Sequence, residues 1–357
     1  MEKYSKWRDF GTGIQPFLQI VPPNKNKSGL EYALLGLKSI IFGPTLLLAR
    51  LVILTGIAIL CGVTTNLASI LIPLKTVRNG YQSFMRKMWS RIILFTIGFY
   101  KIDERLVSLK QSSSTRNKKS SKEVSPKSGD IIISNHSSYI DLLFFIARFD
   151  PVFVKIDNAT LYMTPYKGFE AVFKSVRPPS ALLNASEARS LSSITTEARI
   201  NNLGPVVAFP ENTTSNGLAL LKMLPIFGNS ENLDEKSNLF VYSLRYPFRH
   251  FSPTYSIGNA YSHFAHLCSQ IYNKLAVVRV STEECPKLND ENVQTNMQGE
   301  TEDTGKEQEN GSVNVDKKLG SILVSISRLR QTKLSALDKL DFLKYYNERL
   351  EKYKSVK

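Results

Sequence analysis

Two short segments of this 357-residue chain hold side chains suited to chemistry. In the first, Asn135-His136-Ser137-Ser138-Tyr139-Ile140-Asp141, an imidazole follows an apolar run, Asp130-Ile131-Ile132-Ile133-Ser134, and stands five residues ahead of a carboxylate. With a helix starting at Ser138, Asp141 falls in the first turn and its carboxylate points back at the ring. A carboxylate bonded to one ring nitrogen fixes the tautomer and leaves the other nitrogen as a general base near neutral pH. The same residues carry a second meaning. Ser138-x-x-Asp141 has the form of a capping box, in which Asp141 satisfies backbone donors at the helix start. The spacing alone does not decide between base and cap.

The second segment is a strand, Val206-Val207-Ala208-Phe209, that runs into Pro210-Glu211-Asn212-Thr213-Thr214-Ser215-Asn216-Gly217. Amides and hydroxyls crowded into such a turn make a cradle for phosphate, and Gly217 supplies conformational freedom. Seen alone, it is equally an ordinary polar turn. His263, His266 and Cys268 invite a metal reading, but no second ligand cluster accompanies them and no metal is expected. Cys61, Cys268 and Cys285 are odd in number and unrelated in spacing, which builds no disulfide framework and suggests a reducing compartment.

The elements that must position these residues alternate in type. Strands are expected at 130–134, 151–155, 206–209 and 239–244, with helices at 138–148 and 185–201, which predicts a mixed α/β sheet domain over residues 129–282. Two segments cannot bury a core and are expected to be flexible. One is 101–128, whose part from 108 on holds eight Ser and six Lys or Arg. The other is 283–316, with ten acidic side chains against Lys287 and Lys306. Residues 317–357 read as a basic amphipathic helix, with Leu319, Ile322, Leu323, Ile326 and Leu329 at helical spacing, docked on its own domain, with a membrane-surface role as the second reading.

Upstream, residues 51–74 carry no charge, long enough to span a bilayer core of ~30 Å at ~1.5 Å per residue. They follow a polar segment, 1–33, which argues against a cleavable signal peptide. With the uncharged run 39–49 they suggest a broken hairpin kinked at Pro44. Flanking cations at Lys38, Arg50, Lys75, Arg78, Arg86, Lys87 and Arg91 favour both ends of that hairpin on the cytoplasmic side. The apolar patch from Trp89 to Tyr100 is too short to span and reads as an interfacial helix. The whole region 34–100 is thus expected to anchor the protein in a membrane. Net charge is +15, and the −8 of 283–316 leaves about +23 on the remainder. A basic body suits a membrane surface or phosphorylated small molecules; nothing in the sequence has the pattern of a nucleic-acid module, and no nucleic-acid partner is expected.

Taken together and in this order, the segments at 135–141 and 209–214 resemble the first and third motifs of the glycerolipid acyltransferase family, which includes lysophosphatidic acid acyltransferases. The N-terminal Met1-Glu2-Lys3-Tyr4-Ser5-Lys6-Trp7-Arg8-Asp9 with Gly11-Thr12-Gly13-Ile14 and Pro16-Phe17 is similar to the fungal lipid-droplet branch of that family, the lysophosphatidic acid:oleoyl-CoA acyltransferases. The resemblance implies His136 as the base that deprotonates an acceptor hydroxyl, Asp141 as the residue that orients it, and Asn135, Arg177, Glu211, Asn212, Thr213 and Thr214 as substrate-binding residues, of which Glu211, Thr213 and Thr214 help bind the acceptor. It implies acyl-CoA as co-substrate with no cofactor, a lipid acceptor, and a cytosol-facing site on the endoplasmic reticulum or lipid droplets.

The sequence departs from the family pattern twice. Asn212 stands where glycine is usual, although asparagine tolerates positive φ. The second motif is met only loosely by Gly168, Phe169, Phe173 and Arg177. Arg245 or Arg249 is placed to face substrate phosphate or solvent. Alternatives to transfer onto lysophosphatidic acid are another head group, a CoA-independent transacylase, and a non-catalytic adaptor that keeps the fold.

Overall fold

The computed structural model describes residues 4–20, 42–109, 124–179, 188–227, 237–248, 251–286 and 311–355. Seven strands form one sheet: β1 (Ile102–Val107), β2 (Ile131–Ser134), β3 (Val152–Ile156), β4 (Met163–Lys167), β5 (Val206–Ala208), β6 (Leu239–Arg245) and β7 (Leu275–Val280), in the order β1-β7-β6-β2-β5-β3-β4. β2 lies at the centre, parallel to β5 and β6, with Ile131 opposite Val206 and Leu239. β3 continues the parallel block beyond β5, while β4 and β7 run antiparallel to β3 and β6. The mixed α/β sheet expected from the sequence is present.

Alternate side chains along the central strands feed two separate cores. Ile132, Phe153, Val207 and Phe240 join one buried cluster; Ile131, Ile133, Val152, Val154, Val206 and Val241 join the other. A parallel block covered on both faces needs apolar residues at successive positions, which is why these strands read as unbroken hydrophobic runs. Eight helices surround the sheet among the described residues: α1 (Gly43–Leu71), α2 (Lys75–Ile97), α3 (Tyr139–Phe149), α4 (Phe169–Val176), α5 (Leu191–Ile200), α6 (Ala260–Ser269), α7 (Gly311–Ser327) and α8 (Ala336–Ser355). Helices α2, α3 and α6 bring Leu94, Phe145 and Leu267 to the first core, and α5 and α7 bring Ile194 and Leu323 to the second.

The anchoring region differs from the expected broken hairpin. α1 runs without interruption through Arg50, and Pro44 sits in its first turn, where a missing N–H costs nothing, so it kinks no arm. Residues 39–41 lie outside the described residues. Arg50 does not interrupt the helix because its guanidinium is buried against the carbonyls of Cys268, Gln270 and Ile271 and the Tyr100 hydroxyl. The second arm is α2, which runs back along α1; Trp89 Nε1 donates to Thr64 Oγ1 at 3.3 Å. The patch from Trp89 onward is therefore no separate interfacial helix. It is the last part of α2, turned inward so that Leu94 and Ile97 are fully buried. Within α1, Gly43–Leu67 is long and apolar enough to cross a membrane, with a mean hydropathy of 2.5 and little of its surface covered by protein.

Three expected boundaries also shift. Residues 102–107, placed in the flexible segment 101–128, form the edge strand β1; an edge pairs on one side only, so Asp103, Glu104 and Arg105 can stay wet and conceal it. Residues 110–123 of that segment lie outside the described residues. The acidic tract loses both ends to the fold: Glu284 accepts from Ser108 and Leu109, and Asp316, inside α7, accepts from Ile226 and Phe227. Burial pushes the Asp316 carboxyl up to about 6. Its interior, 287–310, lies outside the described residues. Finally, 317–357 is no single helix. The chain turns at Arg328, φ 53°, and Leu220 pairs with the extended stretch around Gln331. α8 then restarts behind Ser335, whose N–H and hydroxyl both donate to Asp338 Oδ2 at 2.7 Å. The N-terminal polar segment is also partly folded, with Trp7 and Phe17 buried against Phe342 of α8.

Candidate active site

The two motif segments leave the carboxyl ends of neighbouring parallel strands, β2 and β5, where open α/β sheets place their ligands. Past Ser134 the chain is clamped. Asn135 uses both ends of its amide on Leu244, donating to its carbonyl at 3.0 Å and accepting from its N–H at 2.8 Å. The His136 N–H donates to Glu211 Oε1 at 2.9 Å, and its carbonyl accepts from Ser215 at 3.0 Å. The segment that follows β5 thus holds the first motif on both sides of the histidine.

Asp141 is fully buried and serves both meanings that the sequence left open. Its Oδ2 accepts from Ser137 N at 2.8 Å, Ser138 N at 2.9 Å and His136 Nδ1 at 3.0 Å. Its Oδ1 accepts from the Tyr246 hydroxyl, whose ionisation is pushed well up by burial and by the Asp141 charge, so it stays a donor. Cap and orienting group are one carboxylate. Because a carboxylate only accepts, Nδ1 carries the ring hydrogen and Nε2 holds the lone pair. Nε2 has no hydrogen-bond partner among the described residues. The ring stacks on Phe209 with centroids 4.3 Å apart and planes at 20°, which leaves it 6% exposed, on the wall of an open cleft that Phe153 and Tyr166 also line.

Asn212, Thr213, Thr214 and Arg177 line that cleft beside His136. Two predicted binding residues do not reach it. Asn135 is committed to Leu244, and Glu211, 1% exposed, accepts from the backbone of His136 and Leu221. Burial pushes the Glu211 carboxyl up to about 8. Arg245 is exposed at the end of β6 and does not line the cleft; Arg249 lies outside the described residues. Sequence reasoning missed Lys155 and Lys174, which line the cleft with Arg177 and make it a site for anions. Lys174 lies 3.7 Å from the Tyr166 ring centroid and pairs with Glu170 at 2.7 Å. Lys155 is pushed below the usual lysine range by burial and by Lys174. The available signal was a lysine inside an otherwise apolar strand, Val152-Phe153-Val154-Lys155-Ile156.

Known proteins resemble the chain well beyond its motifs. It is 26% identical over 247 residues to a lysophosphatidic acid:oleoyl-CoA acyltransferase of Schizosaccharomyces pombe, covering 68% of this chain and 73% of the relative. It is 29% identical over 204 residues to lysophospholipid acyltransferase LPEAT1 of Arabidopsis thaliana, 54% of this chain and 50% of the plant protein. The chain is thus similar to proteins named as lysophosphatidic acid and lysophospholipid acyltransferases. A lysophosphatidic acid:oleoyl-CoA acyltransferase of Saccharomyces cerevisiae is 48% identical over 58 residues, 16% of this chain and 18% of that protein. No protein-family model matches. The crystal structure of the 1-acyl-sn-glycerophosphate acyltransferase PlsC from Thermotoga maritima aligns over 80% of this chain and 95% of its own, with 13% identity and a TM-score of 0.40.

The unusual Asn212 leaves the turn intact. It takes φ 53°, and its amide exchanges bonds with Ile156 on β3, accepting at 3.2 Å and donating at 2.7 Å. Gly217, at φ 75°, holds a left-handed conformation that side chains rarely adopt, and a Cβ there meets the Thr254 methyl at a tight 3.2 Å.

His263, the other buried histidine among the described residues, packs behind the motif helix. One ring nitrogen meets the Tyr139 hydroxyl at 3.0 Å and the other the Thr254 carbonyl at 3.1 Å. Burial pushes it down to about 4 from an ordinary 6.5. Between those values the unfolded chain binds a proton that the folded chain does not, so stability is full above pH 6.5 and falls as pH drops, by about 3 kcal/mol at pH 4. The thermal midpoint of His263→Gln is expected to fall less steeply than that of the wild type over this window; parallel slopes refute the assignment.

Proposed function

We propose that the chain is a membrane-bound enzyme that transfers a fatty acyl group from acyl-CoA, with oleoyl-CoA as the first donor to test, to lysophosphatidic acid, giving phosphatidic acid. The observation that carries this reading is the unpartnered Nε2 of His136 on a cleft wall shared with Lys155, Lys174 and Arg177. A general base beside three cations suits an acceptor that carries both a free hydroxyl and a phosphate.

In the proposed reaction, Nε2 takes the proton of the acceptor hydroxyl as its oxygen attacks the thioester carbonyl. The tetrahedral adduct then collapses, the carbon–sulfur bond breaks, and the coenzyme A thiolate leaves and is protonated from the imidazolium. Asp141, bonded to Nδ1, holds the tautomer and stabilises the positive ring that forms in between. No covalent enzyme intermediate is required.

The apolar helix α1, with cations at Lys75, Arg78, Arg86 and Lys87 on the helix that follows, supports a site at a cytosolic membrane surface of the endoplasmic reticulum or a lipid droplet. The name of the plant relative favours a second reading, in which the acceptor is a lysophospholipid with another head group. An acceptor panel separates them. With purified protein and oleoyl-CoA, lysophosphatidic acid is expected to exceed lysophosphatidylethanolamine and lysophosphatidylcholine at least about tenfold in kcat/KM, the margin that one charged hydrogen bond supplies. A flat profile or one favouring a zwitterionic acceptor overturns the preference, and transfer without added acyl-CoA makes the enzyme a transacylase.

A further inference from the structure

A buried lysine from the far end of the chain reaches the motif turn. Lys339, in the first turn of α8, is 2% exposed. Its Nζ donates to the carbonyl of Thr214 at 2.6 Å and to Thr214 Oγ1 at 2.8 Å. It forms no ion pair among the described residues, although Glu211, three residues before Thr214, is close enough to act on it electrostatically. Burying an ammonium against a neutral threonine is expensive, and an apolar residue of similar length packs there at lower cost. Burial pushes Lys339 down to about 7.

The surroundings hold Lys339 at this position. Phe342, one turn further along α8, packs between Trp7 and Phe17, with ring centroids at 5.3 and 5.7 Å. Asn216, two residues after Thr214, donates to the carbonyls of Gln15 and Leu18, each at 2.9 Å. The N-terminal segment and α8 therefore both pack against the turn whose Asn212, Thr213 and Thr214 line the cleft.

We propose that Lys339 is a positioning residue for the acceptor: by donating to Thr214 Oγ1 it commits the threonine hydroxyl hydrogen to the cleft, where it donates to an anionic oxygen of the bound lipid. A hydroxyl has one hydrogen and two lone pairs. Once an ammonium occupies a lone pair from behind, the hydrogen turns away from the positive charge. The bond to the Thr214 carbonyl holds the backbone still while this happens. The inference rests on the acyltransferase reading above and adds to it a specific donor and the residue that sets it.

The test compares steady-state constants of purified, folded Lys339→Met with wild type, using lysophosphatidic acid and oleoyl-CoA. The expected result is an acceptor KM raised by about tenfold or more, the worth of a hydrogen bond to a charged group, with the acyl-CoA KM within twofold. The double variant Lys339→Met/Thr214→Val is expected to be no worse than the worse single variant, because both remove the same bond. An unchanged acceptor KM, a loss of kcat alone with both KM values preserved, or full additivity overturns the proposal. Should Lys339→Met not fold, the threonine decides: Thr214→Ser, which keeps the hydroxyl, is expected to hold the wild-type acceptor KM while Thr214→Val raises it, and equal values for the two overturn the proposal. Absence of transfer by the wild type to any lysophospholipid instead refutes the underlying function.

Discussion

His136→Ala is expected to lower acyl transfer by about three orders of magnitude, within the range that a positioned general base contributes. The substitution removes the one side chain on the cleft wall that combines a free lone pair with a carboxylate behind it. It leaves the architecture that surrounds that side chain. Asp141 Oδ2 keeps the N–H groups of Ser137 and Ser138, and the His136 backbone keeps Glu211 and Ser215. The ring borders an open cleft rather than the closed core, so the vacancy fills with water and costs about 1 kcal/mol, the low end for a partly packed side chain. Rate and stability should therefore separate. Initial rates and thermal midpoints on the same purified preparation check this. A folded variant within tenfold of the wild-type rate removes His136 from the role of base.

The parts of this site that sequence could reveal are those written locally. The approach strand, the histidine, the cap and Asp141 occupy eleven consecutive residues, so their geometry follows from where one strand ends and one helix starts. Asn212 was legible for the same reason: a turn that calls for positive φ accepts few residues, and asparagine is one of them.

The misreadings arose where position depends on strands far apart in the chain. Asn135 and Glu211 look like ligands because they sit inside the motifs, yet a polar side chain beside a motif reads identically whether it faces the cleft or the backbone behind it. Tyr246 joins Asp141 only because β6 lies next to β2, across 105 residues. Lys339 is one of many cations in a basic helical segment, and composition does not say which of them is buried. The edge strand β1 was hidden by its own charge. Helix α2 was split in sequence because its polar first half and apolar second half meet different surroundings along one rod.

The sharpest test of the site comes from Asp141, whose two duties two substitutions pull apart. Asp141→Ala leaves the Ser137 and Ser138 N–H groups, the Tyr246 hydroxyl and His136 Nδ1 without their acceptor in a fully buried place. That variant is expected to lose about 3–5 kcal/mol of stability, so its inactivity says little about chemistry. Asp141→Asn differs. Three donors converge on Oδ2 and a single hydroxyl on Oδ1, so the amide oxygen takes the Oδ2 position and its NH2 turns to Tyr246, whose oxygen can accept. The cap is kept and so is the tautomer of His136, because Nδ1 still donates to an oxygen. What disappears is the negative charge that stabilises the imidazolium formed as the acceptor hydroxyl loses its proton. The expected outcome is a folded enzyme whose stability falls by about 1–2 kcal/mol and whose turnover falls on the order of 100-fold or more. If Asp141→Asn turns over within threefold of the wild type, the carboxylate is a helix cap that happens to touch the base, and the charge pairing at the centre of the proposed chemistry is wrong.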